Sequence, residues 1–342
     1  MTFTTQHLLP PHGGPDALGT PQWDFSTNSN AAGPCPHTLA ALAQADARHY
    51  PDPAYTQLRA ALADWHGVDA ERILIGASGS ELIARITCWM ALRSQPPHTP
   101  AKVWHPAHAY GDYAHAAQQY GLPLCDDVAQ AELIWLCAPS SPHGQTLTLP
   151  PGWAQRPAHS TVVLDCAYAP LQLSNTPIAP GLDRNSSWQI WTPNKALGLC
   201  GIRAAYAIAP AQAAADDVQH LKALAPSWPV GSHGVALLHS WCTPAAQAWL
   251  EQSRHTLRQW KHAQIEMLQS LGWECLPSET NFFLARPRKP SALALSDQLA
   301  RMRQQGIKLR DASSFGLPGW ARLRVHTPQA QAALRQHLAA VE

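Results

Sequence analysis

Lysine is scarce in this chain of 342 residues: Lys102, Lys195, Lys222, Lys261, Lys289 and Lys308 are all it has. Charge of one sign is also lacking. Lys and Arg total 24 against 23 Asp and Glu, a formal net charge of +1, so nothing electrostatic points to nucleic acid or an anionic membrane as a partner. Long hydrophobic runs are missing, and no apolar stretch approaches the roughly 18 residues that a bilayer span needs. The opening MTFTTQHLLPPHGG has no charged segment followed by an apolar one. No signal peptide is therefore expected, and the expected location is the cytoplasm. The eight cysteines never occur as C-x-x-C, and most lie in apolar segments such as LIWLCAP and RITCWMAL. That pattern speaks against a disulfide framework or a zinc site and suits reduced core thiols. The 18 histidines are equally dispersed, and no metal site is expected.

What is present suits a folded enzyme-sized chain. At 46% hydrophobic residues the chain can bury a sizeable core, and its length suggests a large and a small domain. Residues 1–36 are rich in Pro, Gly, Asn and Ser and read as an extended arm that belongs with the small domain. A large domain is expected over 37–232 and a small α+β domain over 233–342. Helical spacing marks 37–49 and then AYTQLRAALADWHG, which Gly67 should close. Beyond it, apolar runs without alternation follow one another with helical segments between: ERILIG, AKVW, AELIWLC, STVVLD, SWQIW and IRAAYAIA. Such runs suit strands covered on both faces, and the fold class expected is α/β, a three-layer αβα domain with a mainly parallel sheet. A long helical stretch over 234–271, a helix over 291–304, a few strands and a last helix make up the remainder.

In an open α/β sheet, ligands sit beyond the carboxyl ends of the strands. The strand ends here carry GASGSE, HPAHAY, APSSPHG, LDCAY and WTPNK. Taken singly, each has a plain structural reading: a tight turn before a helix, a structural aspartate, a surface lysine. Taken together they assemble a small-residue turn at a helix start for a phosphate, a buried carboxylate at Asp165, a tyrosine three residues on, Lys195, and Arg203. Desolvation makes a lysine amine a nucleophile for carbonyls. Pyridoxal 5′-phosphate needs that set: a lysine for its aldehyde, a carboxylate for its ring nitrogen, and donors for its phosphate.

The segment TPNKALGLCGIRAAYAIA resembles S/T-x-S-K-x-x-G-L-x-G-x-R-x-G-Y of the fold-type I pyridoxal-phosphate enzymes, the class I/II aminotransferase superfamily. VVLDCAY is similar to its V-x-D-E-A-Y strand, LIGASGSELI to its G-N-G-S-x-E-L-I turn, and HAYGDY to its Y-x-x-Y segment. The resemblance runs from about residue 12 to 335. It implies that Lys195 holds the cofactor as a Schiff base, that Asp165 pairs with the ring nitrogen, and that Tyr168 bonds the ring oxygen. Tyr110 would stack on the ring. Ser78, Gly79, Ser80, Thr192, Asn194 and Arg203 would surround the phosphate, and Tyr50 would reach it from a second subunit, in a homodimer with shared active sites. Three positions depart from the pattern: Ser141 replaces an asparagine that contacts the ring oxygen, Asn194 a serine, and Cys166 a glutamate.

Within the superfamily, DFSTNSNAAGPCP, HYPDPAYTQLRAALADWHGV and GIKLRDASSFGLPGWARLRVHT look most like the cobalamin-biosynthetic threonine-phosphate decarboxylases, with the histidinol-phosphate aminotransferases as near relatives. That resemblance implies decarboxylation of L-threonine O-3-phosphate to (R)-1-amino-2-propanol O-2-phosphate. The alternatives are an aminotransferase of histidinol-phosphate type and a protein of this fold without turnover. Arg324 and Arg310 are the expected partners of the substrate anions, because a guanidinium fork matches carboxylate or phosphate. His12 and Asn30 are expected to cover the substrate, or else to shape the turns of the arm.

Overall fold

A computed structural model describes residues 12–94, 99–289 and 293–339. Residues 1–11 of the expected arm, positions 291–292 of the expected helix and residues 340–342 lie outside the described residues. The larger sheet has six strands in the order Ile73–Gly76, Ala205–Ile208, Trp188–Trp191, Thr161–Asp165, Leu133–Cys137, Val103–Trp104. Ala205–Ile208 runs antiparallel to both of its neighbours, and the other pairings are parallel. The unbroken apolar runs have a simple cause. In Leu133–Cys137 every residue is buried, and successive side chains enter different cores. Leu133 and Trp135 join Leu74, Ile83 and Ile190 on one face, while Ile134 and Leu136 join Ile73, Ile75 and Leu164 on the other. A strand with two dry faces has no place for alternation. The α/β fold expected from the sequence is the fold observed.

The helices differ in detail from the sequence pattern. Thr56–His66 ends as expected, with Gly67 at φ 64°. The helix expected over 37–49 is shorter, Pro36–Ala43, because the Asp46 carboxylate accepts from the Arg48 backbone N–H at 2.9 Å and draws the chain into a local turn. The stretch 234–271 is two helices, Ser232–Trp241 and Pro244–Ser270. Pro244 has no N–H to continue the first one, and Thr243 Oγ1 caps the second by accepting from Ala246 N–H at 3.3 Å.

A second, four-stranded antiparallel sheet has the order Arg310–Asp311, Ala321–Arg324, Phe282–Pro287, Trp273–Cys275. The N-terminal segment reaches this part of the molecule through Trp23–Asp24, which pairs in parallel with Ile307–Lys308. Asp16 anchors it further, accepting from Arg303 Nη2 at 2.7 Å and Lys308 Nζ at 2.9 Å. Gly13 runs so close to the next turn that a Cβ there would lie 2.3 Å from the Ser26 carbonyl oxygen. Among the described residues, no helix is long and apolar enough to cross a membrane.

Candidate active site

The strand ends named from the sequence converge on a cavity of about 380 Å³ between the two sheets. Asp165 is the last residue of Thr161–Asp165 and only 6% exposed. Burial pushes its carboxyl above the ordinary value; the Tyr113 phenol, the Ala167 N–H and the Lys195 charge pull the other way. Tyr113 Oη donates to Asp165 Oδ2 at 2.8 Å, and Ala167 N–H donates to Oδ1 at 2.9 Å. The Tyr113 ring is locked in turn by stacking on Trp135, with centroids 5.1 Å apart and planes 6° from parallel. Tyr113→Phe removes one stabilising donor from the carboxylate. It is expected to raise the Asp165 pKa further, so that the protonated-carboxyl infrared band persists to higher pH in the variant than in the wild type.

Lys195 follows the strand Trp188–Trp191, and its Nζ lies 5.7 Å from the centre of the Tyr168 ring. Its loop is pinned through the backbone. Asn30 N–H donates to the Lys195 carbonyl at 2.9 Å and Cys35 N–H to that of Leu197 at 2.9 Å. The Asn30 amide donates to Ala196 O at 3.0 Å and Ser253 Oγ at 2.8 Å. Gly198, at φ 71°, packs where a Cβ would lie 3.1 Å from the Gly33 Cα. Asn30 therefore lies outside the cavity lining; its side chain is spent on holding the lysine loop. Asn30→Ala leaves buried acceptors unmet and is expected to cost about 1–3 kcal/mol of stability, read from denaturant unfolding.

The turn after Ile73–Gly76 opens the helix Gly79–Arg93, capped by Ser78 Oγ, which accepts from Glu81 N–H at 3.0 Å. Glycine fits at 79 because a Cβ would stand 3.1 Å from Thr192 Cγ2. Ser80 Oγ and Tyr110 Oη are 3.1 Å apart, and burial pushes the Tyr110 phenol well above its ordinary pKa. Thr192 Oγ1 and Asn194 Oδ1 are buried with no hydrogen-bond partner, on residues that line the cavity with Ser78, Gly79, Ser80 and Arg203. Orphaned buried acceptors and hydroxyls are rare in folded proteins and ask for a ligand. A helix start, three hydroxyls and a guanidinium around two orphans fit a phosphate group.

Of the remaining candidates, Tyr168, Ser141, Arg310 and His12 line the cavity. Arg324 does not. Its Nη2 contacts His326 Nε2 at 2.9 Å, next to Asp24. The cavity arginine from that strand is Arg322, two residues earlier on the same face. Its guanidinium is buried, which lowers its pKa. It lies 5.6 Å from the Phe282 ring centre and 5.2 Å from that of Phe315, and no carboxylate among the described residues pairs with it. Arg310 lies 5.0 Å from the same Phe315 ring and donates to Ser314 Oγ at 2.5 Å. Burial and the Arg322 charge lower its pKa to about 10. Tyr50 is 77% exposed and stacks on Trp228 at 4.4 Å, away from this cavity. Cys166 is fully buried, its thiol pushed up to about 12. Sequence reasoning missed Arg322 and Tyr113. In ARLR the two arginines occupy equivalent alternate positions, and nothing local in HAYGDY marks its second tyrosine as the partner of Asp165.

A three-layer α/β sheet whose strand ends gather a lysine, a buried carboxylate and a phosphate cradle defines a pyridoxal-phosphate-dependent enzyme of fold type I. Residues 20–338 match the family model described as aminotransferase class I and II, and the chain belongs to that family. The histidinol-phosphate aminotransferase of Akkermansia muciniphila is 28% identical over 89% of this chain and 85% of that protein. The crystal structure of histidinol-phosphate aminotransferase from Sinorhizobium meliloti, in complex with pyridoxal 5′-phosphate, superposes with a TM-score of 0.78 at 23% identity, over 99% of this chain and 100% of that one. L-threonine-O-3-phosphate decarboxylase from Porphyromonas gingivalis superposes with a TM-score of 0.70 at 23% identity, over 93% of this chain and 98% of that one. The cofactor of this enzyme is pyridoxal 5′-phosphate.

Proposed function

We propose that the chain is an aminotransferase of histidinol-phosphate type, acting on an amino compound that carries an anionic group. The observation that carries the anionic part is Arg322, a buried guanidinium on the cavity wall with an unpartnered Nε. A buried cation of this kind is costly unless a charged partner completes it. The amino-transfer part rests on the relatives, which bear that name. Threonine-phosphate decarboxylation, the first expectation from the sequence, has the support of a structural neighbour at 23% identity, a likeness of fold.

Pyridoxal phosphate, when bound, supplies an aldehyde for an amine and a ring that takes up the electron pair released at the substrate α-carbon. Lys195 would provide the amine for that aldehyde, and the same Nζ would serve as the base that moves the proton at the substrate α-carbon. Asp165 would face the ring nitrogen and favour a proton there, and its donors Tyr113 and Ala167 N–H stabilise the charged carboxylate against the burial that raises its pKa. Tyr168 would donate to the ring oxygen, and Tyr110 would pack against the ring. Ser78, Gly79, Ser80, Thr192, Asn194 and Arg203 hold the phosphate, and Tyr50 of a second copy completes the cradle in a homodimer. Arg322, assisted by Arg310 and His12, holds the substrate anion. Arg322 and Arg310 would orient the substrate by its anion, and that orientation would decide between proton loss and decarboxylation.

The test is to incubate the holoenzyme with histidinol phosphate plus 2-oxoglutarate and, separately, with threonine phosphate. Amino transfer in the first mixture, without CO₂ from the second, is the expected result. CO₂ release from threonine phosphate, without amino transfer in the first mixture, overturns the aminotransferase reading.

A further inference from the structure

We propose that Arg85 is a positioning residue for the cofactor's phosphate. It neutralises the Glu81 carboxylate that shapes the turn at 78–80, so that this anionic side chain does not repel the anion the turn receives. The proposal rests on the reading of that turn as the phosphate's seat. Glu81 lies in the first turn of the helix Gly79–Arg93 and folds back on the segment before it. Its Oε2 accepts from Ala77 N–H at 3.2 Å, while Ser78 Oγ accepts from Glu81 N–H at 3.0 Å. The two bonds are reciprocal, in the manner of a capping box, and fix the backbone through 77–81. Gly76 belongs to the same device, because a Cβ there would lie 2.8 Å from Glu81 Oε2.

A carboxylate in this place has a cost. A helix start favours one anion, but two anions at the same start repel each other, and Ser78, Gly79 and Ser80 line the cavity beside it. Arg85 stands one helical turn beyond Glu81 on the same face. Its Nε donates to Glu81 Oε1 at 2.7 Å and its Nη2 to Oε2 at 2.7 Å, a parallel fork. Its Nη1 donates to the Ile75 carbonyl at 3.1 Å, which ties the guanidinium to the strand that leads into the turn. The Arg85 side chain is 2% exposed, so salt and water screen its charge little. Glu81 therefore supplies the acceptor that shapes the turn, and Arg85 removes the negative field that this acceptor would otherwise carry.

The full chain is freed of cofactor with hydroxylamine and titrated with pyridoxal 5′-phosphate and, separately, with pyridoxal, which lacks the phosphate. Binding is followed by tryptophan fluorescence. Arg85→Gln keeps an amide that can donate to Glu81 and removes the charge. It is expected to raise the Kd for pyridoxal phosphate about tenfold and to leave that for pyridoxal unchanged. Glu81→Gln keeps an acceptor for Ala77 N–H without the charge, and should bind pyridoxal phosphate at least as tightly as the wild type. The double variant Glu81→Gln/Arg85→Gln should return to the wild-type Kd. An unchanged Kd for pyridoxal phosphate in Arg85→Gln overturns the proposal. So does equal weakening of pyridoxal phosphate and pyridoxal, or a double variant as weak as Arg85→Gln, since either makes the pair a purely structural one. Should Arg85→Gln not fold, Glu81→Gln decides: weaker binding of pyridoxal phosphate there overturns the proposal, and equal or tighter binding upholds it. If Arg203→Met leaves the Kd for pyridoxal phosphate unchanged, the reading of the cradle itself falls; a failure at Arg85 alone leaves the effect of Arg203→Met in place.

Discussion

Lys195→Ala is expected to lower kcat by about 10⁴-fold, the upper end of what a single positioned proton-transfer group contributes. Two functions are lost together: the amine that the cofactor aldehyde takes, and the base that moves the α-proton. The loss should be chemical rather than structural. The loop that carries Lys195 is fixed by its own backbone, through Asn30 N–H on the Lys195 carbonyl at 2.9 Å and Cys35 N–H on that of Leu197 at 2.9 Å. None of these bonds uses the lysine side chain. Thermal unfolding of the cofactor-free variant should therefore match the wild type, while turnover disappears. Lys195→Arg keeps a positive charge above Tyr168 but has no nucleophilic amine, and it should be as inactive as the alanine variant. Turnover by either variant within tenfold of wild type contradicts the assignment.

Arg322→Ala is expected to lower kcat/KM by about 10²–10³-fold, since removing one partner of a dry charge pair costs about 2–5 kcal/mol. The effect should lie mostly in KM, because the lost contact holds the substrate anion before and during reaction alike. Arg324→Ala is the informative companion. Arg324 meets His326 at 2.9 Å and faces Asp24 rather than the cavity, so its removal should change stability and leave KM close to wild type. The reverse pattern, a large KM effect at 324 and none at 322, would restore the assignment drawn from the sequence. Steady-state kinetics on the two variants decide it.

Much of this site was legible in the amino-acid sequence because chemistry at strand ends follows from topology. Asp165 and Lys195 each end or follow an apolar run, and a parallel sheet brings neighbouring strand ends together at one edge. The phosphate turn was legible for the same reason: Ser78 is both strand exit and helix cap. Depth along a strand was not legible. Arg322 and Arg324 share a face of Ala321–Arg324, and only the pairing of that strand, with Arg322 opposite Leu284 and Arg324 opposite Phe282, fixes which arginine reaches the cavity. Asn30 is a different kind of miss. Its amide serves the backbone of a loop more than 160 residues away, at Ala196, and no local pattern announces a bond of that sequence separation. The break between Ser232–Trp241 and Pro244–Ser270 was written in Thr243-Pro244, a capping signal that the long helical periodicity masked.

The most direct measurement is chemical trapping. Holoenzyme is reduced with borohydride, digested, and its peptides are examined by mass spectrometry for the lysine that carries the reduced pyridoxyl group. The account predicts that group on Lys195, in the peptide spanning TPNKALGLCGIR, and none in the Lys195→Ala chain. A pyridoxyl group on any of the other lysines, or no covalent adduct in the wild-type protein, would contradict it.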